Sequence, residues 1–98
     1  VIKLKDYPSE EDLEKIRKWP LSDVYNLIRF IDSVWNHEFG RIEIKGKKVI
    51  TLKLITGGWS GNEDIVNALH KNENLFWSAF WVKSTRGGLF VFKIKEVD

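Results

Sequence analysis

The residues best equipped for chemistry lie in one nine-residue run, residues 56–64, TGGWSGNED. Three glycines in five positions open backbone conformations closed to other residues, and they let a ligand approach the main chain. The run leads into a helix N-terminus, where free N–H groups attract anions. It lacks the Lys-Ser/Thr that completes a phosphate-binding loop, and it lacks the Gly-x-Gly-x-x-Gly spacing of a dinucleotide fingerprint. Glu63 and Asp64 also fall in the first helical turn and would repel a phosphate there. A hydroxyl-rich or cationic group fits better, bonded by Ser60, Asn62 and Glu63 and stacked on Trp59. The competing expectation is a plain strand-to-helix turn in which Trp59 packs.

Two further features belong to the same part of the chain. Trp77 and Trp81 follow the glycine run closely, and tryptophan joins a large apolar area to an N–H donor, which suits binding surfaces as well as cores. Residues 83–88, KSTRGG, put Arg86 at an expected hairpin tip, where a guanidinium can meet a phosphate or carboxylate through two bonds. Residues 86–91, RGGLFV, echo an RNA-recognition motif only in part, with no aromatic at Gly88 and no small residue at Leu89.

Catalytic groupings are thin. The chain has no cysteine, which excludes thiol nucleophiles, disulfides and cysteine-bound zinc, and fits a cytoplasmic setting. His37 and His70 fall on different expected helices, outside any metal-ligand spacing. Residues 58–61, GWSG, stop one residue short of a nucleophile elbow. Neighbouring carboxylates such as Glu63 and Asp64 diverge on a helix. The expectation is a protein that is not an enzyme and needs no cofactor.

The elements that must position these residues follow from periodicity. Ser9, followed by three acids, reads as a helix start, and Trp19 before Pro20 as its end. From a second cap at Ser22, Val24, Leu27, Ile28, Ile31, Val34 and Trp35 repeat every 3.6 residues, with Gly40 closing the segment. Residues 41–45 alternate, Gly46 and Lys47 can turn, and residues 49–56 resume as a β-branched and apolar run, which reads as a hairpin. A helix capped by Asn62 then runs to about Lys71. Residues 75–83 read as an aromatic strand with Trp77 and Trp81 on one side, pairing after the glycine turn with residues 89–95. Residues 1–5 alternate and suit a short extra strand. The fold class is therefore α+β in the order ααββαββ, one domain over residues 1–98, with helices covering a four-stranded, mainly antiparallel sheet. Both strands of the last hairpin are apolar on both sides in part, which suggests a central position or cover on both faces.

Bulk composition agrees. Apolar residues are 43% and charged residues 31% of the 98, the balance of a soluble globular domain, and roughly 65% of the surface of such a chain is buried on folding. No apolar run approaches the roughly 20 residues that span a bilayer. The net charge of +2 divides into −2 over residues 1–40 and +4 over residues 41–98. That is less basic than nucleic-acid binders tend to be, so lysines such as Lys45, Lys47, Lys48, Lys93 and Lys95 are expected to solvate strand edges and turns.

The glycine-tryptophan run, residues 76–77 and 81, and the Arg86 hairpin with its following aromatics resemble a pattern in small uncharacterised proteins of phages and prophages, over about residues 50–94. The resemblance implies no catalytic residue. It implies a setting, in which short accessory proteins act on host factors, including immune proteins and their nucleotide signals. The expected function is non-enzymatic and counter-defensive: binding of a nucleotide-like small molecule or a host protein by Trp59, Ser60, Asn62, Glu63, Trp77, Trp81 and Arg86. The alternatives are an inhibitor or homodimer module using an apolar patch, and a single-stranded nucleic-acid binder.

Overall fold

The computed structural model describes residues 7–95; the strand expected over residues 1–5 lies outside them. Helix α1 (Glu10–Lys18) begins as its sequence directs. The Asp12 N–H donates to Ser9 Oγ at 3.0 Å and the Ser9 N–H donates to the Asp12 carboxylate at 3.2 Å, a reciprocal capping box. Arg17 binds both Glu10 and Glu14 along the exposed side, and the helix stops at extended Trp19 ahead of Pro20.

Ser22 does not cap the second helix. Residues 21–23 form a single 3-10 turn, and helix α2 (Val24–Val34) starts after it. Its 3.6-residue stripe buries Val24, Leu27, Ile28 and Ile31, and extended Trp35 ends it before Gly40. Strands β1 (Arg41–Lys45) and β2 (Val49–Ile55) form the expected hairpin. Helix α3 (Ser60–His70) follows the glycine run. Its N-cap is Trp59 rather than Asn62, which lies inside the first turn.

Residues 75–80 correct the sequence reading. The aromatic run expected to be a strand opens as helix α4 (Phe76–Phe80), and only then does strand β3 (Trp81–Thr85) begin, followed by β4 (Leu89–Lys95). The cause is the preceding turn. Asn72 Oδ1 accepts from the N–H groups of Asn74 and Phe76 at 2.9 and 3.3 Å, and Leu75 takes a left-handed conformation at φ 66°. That geometry feeds a helical turn, which buries Phe76 between Phe80 and Phe92 and leaves Phe80 itself almost wholly buried.

The four strands pair antiparallel in the order β1-β2-β4-β3. The last hairpin is therefore not wholly central: β4 is internal, while β3 is an exposed edge. One sheet face carries Leu52, Leu54, Phe92 and Ile94 into a core shared with the helices. Buried Asn72 ties the turn after α3 to the end of α1, since its Nδ2 donates to the carbonyls of Ile16 and Trp19 at 2.7 and 3.1 Å. Among the described residues no helix is long and apolar enough to cross a membrane.

Candidate functional site

The glycine-tryptophan run and the Arg86 hairpin do meet. The Thr56 N–H donates to the Gly88 carbonyl at 3.0 Å, extending the pairing of β2 with β4 by one residue. This approach requires glycine at position 88. Its φ is +85°, and a Cβ there would collide with the Thr56 hydroxyl.

The same junction divides the candidate residues into two groups facing different ways. Trp59 turns back onto Phe39, ring centroids 4.8 Å apart and nearly parallel, and onto Tyr7 at 4.7 Å. Its indole is half-buried, and its ring N–H is buried without a partner among the described residues. Ser60 Oγ is 3.5 Å from the Tyr7 hydroxyl on that side. Asn62 is 1% exposed, and its amide is consumed internally. Oδ1 accepts from the Asn36 N–H at 2.9 Å, while Nδ2 donates to the carbonyls of Asn36 at 3.1 Å and Thr56 at 3.3 Å. The expectation that Asn62 meets a ligand is therefore corrected. Its side chain joins the end of α2 to the glycine turn and has no atom left to offer.

Glu63, Trp77 and the strand after Arg86 go to the other side. They border a groove of about 290 Å³ between α3, α4 and β4, with Val66, Asn67, His70, Gly88 and Phe90 completing the wall. Trp77 is the hub. Its ring lies 4.7 Å from His70, 5.9 Å from Phe90 and 5.2 Å from Phe92 in edge-on geometry. Trp81 stacks over it at 6.4 Å, 16° from parallel, and donates its own N–H to Ser84 Oγ at 2.9 Å. So Trp77 and Trp81 stay together as the sequence suggested, although one stands on a helix and the other on a strand. Arg86 is exposed at the tip, two residues ahead of the groove-lining Gly88.

Sequence reasoning missed Asn67, His70 and Phe90. The signal was present in the spacing Glu63, Asn67, His70, which is i, i+4, i+7 and marks one helical stripe. It was overlooked because the apolar stripe of the same helix, Ile65, Val66 and Leu69, drew the reading toward packing.

A second hollow of about 350 Å³ is bordered by Asp12, Trp35, Asn36, His37 and Glu38 among others. Trp35 is only 4% exposed and offers no stacking face there. His37 Nε2 is engaged with Asp32, 2.9 Å from its carbonyl and 3.3 Å from its carboxylate, at the end of α2. Among the described residues, no three His, Asp or Glu side chains gather closely enough to hold a metal ion.

The α3 groove therefore combines a half-buried indole face, a carboxylate, a carboxamide and an imidazole, with an exposed guanidinium beyond one end. No protein-family model matches the chain, and no curated protein or solved structure matches it.

Proposed function

We propose that this protein is a non-enzymatic binding protein of the phage-accessory, counter-defence kind, working in the cytoplasm and holding a nucleotide-like small molecule in the α3–α4–β4 groove. One observation carries the reading: the polar stripe Glu63, Asn67, His70 faces the rings of Trp77 and Phe90 across a single groove. Glu63 and His70 are seven residues apart, about 10 Å along an α-helix, a span comparable to a nucleoside monophosphate. The groove volume lies at the small end of ligand pockets, which suits one base and sugar rather than a dinucleotide.

The chemistry orders the ligand. Its base stacks on Trp77 near His70, Asn67 bonds the polar edge of the base, and sugar hydroxyls donate to Glu63. The phosphate then leaves toward Arg86, whose guanidinium offsets the repulsion of the Glu63 carboxylate. The same 10 Å separation argues for binding over catalysis, because Glu63 and His70 cannot share a proton at that range. The setting comes from the resemblance of residues 50–94 to phage accessory proteins.

A thermal-shift series with nucleoside monophosphates and cyclic nucleotides tests this. At a hundredfold excess over Kd, a ligand should raise the melting temperature by about 10 °C or more. Silence across the series at millimolar ligand removes the reading.

A second reading, a homodimer or a module that grips a host protein, has its own observation. Leu75 is 66% exposed and Trp81 and Val82 are each 45% exposed, close together in the chain around α4 and the edge strand β3. A dimer in light scattering with no nucleotide-induced melting shift would favour it.

A further inference from the structure

Charge in this molecule separates by layer. The helices with their connections, residues 7–40 and 56–80, carry ten acidic and five basic side chains. The strands with their hairpin turns, residues 41–55 and 81–95, carry nine basic side chains and one acidic. The strand register gathers six of those nine onto one face. Arg41, Lys45, Lys53, Lys83, Lys93 and Lys95 occupy the alternate positions that point away from the buried set Leu52, Leu54, Phe92 and Ile94. The single acid, Glu43, is held by Arg41 at 3.5 Å. Lys93 and Lys95 stand on the internal strand β4, so they are not edge guards as the sequence suggested.

The spacing is regular. Lys45 and Lys93 flank Thr51 in one cross-strand row, and Lys53 and Lys83 flank Val91 in another. Lysines within each row are two strands apart, about 10 Å, and successive residues on one face of a strand are about 7 Å apart. Among the described residues the helices pack on the opposite face, and on this one Arg41, Lys45, Lys83, Lys93 and Lys95 are exposed, with Lys53 half-buried beside buried Val91.

From this grid we infer that the outer sheet face docks on the phosphate backbone of a double-stranded nucleic acid, without reading its sequence. Lysine supplies point charges rather than the two-pronged geometry that reads base edges. The alternating positions of this face hold no aromatic ring, so the stacking platform that unpaired bases need is missing. A duplex carries one charge per 1.7 Å or so of its axis, and it can present several phosphates at once to a rigid grid. The modest net charge of the whole chain conceals this face because the helical layer cancels it. The surface shares no residue with the groove, so the two readings stand or fall separately.

The test is fluorescence anisotropy with a labelled random-sequence 20-base-pair duplex between 50 and 200 mM salt. With four or five phosphates engaged, log affinity should fall against log salt with a slope of about −4. The double variant Lys53→Glu/Lys93→Glu should weaken binding at least about tenfold and flatten the slope by about 2. If that variant loses its cooperative melt, Lys45→Gln/Lys83→Gln supplies the same comparison without charge reversal. Four results would overturn the inference: no duplex binding at 50 mM salt, a salt-independent affinity, folded variants that bind undiminished, or equal or tighter binding to single-stranded DNA, polyglutamate or phosphatidylserine vesicles.

Discussion

Helix α3 carries two asparagines five residues apart, and they have opposite fates. Asn62 is sealed in the fold with both ends of its amide engaged, whereas Asn67 is exposed along the groove. Two tryptophans divide in the same way. Trp59 lies back on Phe39 and Tyr7, while Trp77 lines the groove. An unusual local composition, three glycines around an indole, marks the place where the chain must bend and lock. The residues left free for a ligand are marked instead by ordinary helical spacing. Rarity in sequence is thus a signal of backbone demand before it is a signal of function.

Substitutions on the two sides should separate locking from binding, and the largest effect belongs to the locking side. Asn62→Ala takes the acceptor from the Asn36 N–H and removes one of two donors from each of the Asn36 and Thr56 carbonyls, which keep the N–H groups of Gly40 and Trp59. It should cost about 3 kcal/mol in denaturant titrations, or roughly 15 °C in melting temperature. Trp59→Ala removes a half-buried ring and should cost about 2 kcal/mol, less than a fully buried ring would, with groove affinity retained in the folded fraction by calorimetry. Leu75→Gly runs the other way. It relieves a left-handed, exposed leucine and should stabilise by about 0.5 kcal/mol after the added freedom of the unfolded chain is counted.

On the groove side, Glu63→Gln and Asn67→Ala should leave stability within about 0.5 kcal/mol, as exposed positions do. Each should weaken nucleotide binding at least about tenfold, which a calorimetric titration reads directly. The smallest effect is expected at Glu14, whose carboxyl is held below its usual range first by the hydrogen bond from Arg17 and then by the charge of Lys18. A lowered carboxylate pKa stabilises above the unfolded-state value, and that contribution is lost as pH falls through the folded-state value. The melting-temperature difference between the wild type and Glu14→Gln should therefore be small at neutral pH and vanish on acidification.

Much of the architecture was legible because local signals agreed with tertiary demand. The Ser9 cap, the 3.6-residue stripe of α2, the β1–β2 hairpin and the four-stranded antiparallel sheet all follow from patterns that packing reinforces. Residues 76–80 were misread because phenylalanine and tryptophan favour strands in isolation. The amide of Asn72 and the left-handed Leu75 impose one helical turn before the strand can start, and neither is visible as a periodicity. The site was legible in part. Glu63, Trp77 and the Arg86 hairpin converge on one side, but the side to which Trp59 and Asn62 turn depends on Phe39 and Asn36, 20 and 26 residues upstream. The charged sheet face was hidden for a related reason, since strand order and register, not composition, align its lysines.

The most direct test of the groove is an NMR titration of the wild-type protein with adenosine monophosphate, followed on backbone amides and on the five tryptophan indole N–H signals. The account predicts saturable shifts at Glu63, Asn67, His70 and Gly88 and at the Trp77 and Trp81 indoles, with the Trp35 and Trp59 indoles unmoved. Shifts centred on the Trp59 indole and residues 36–40, or an unchanged spectrum at millimolar nucleotide, would contradict it.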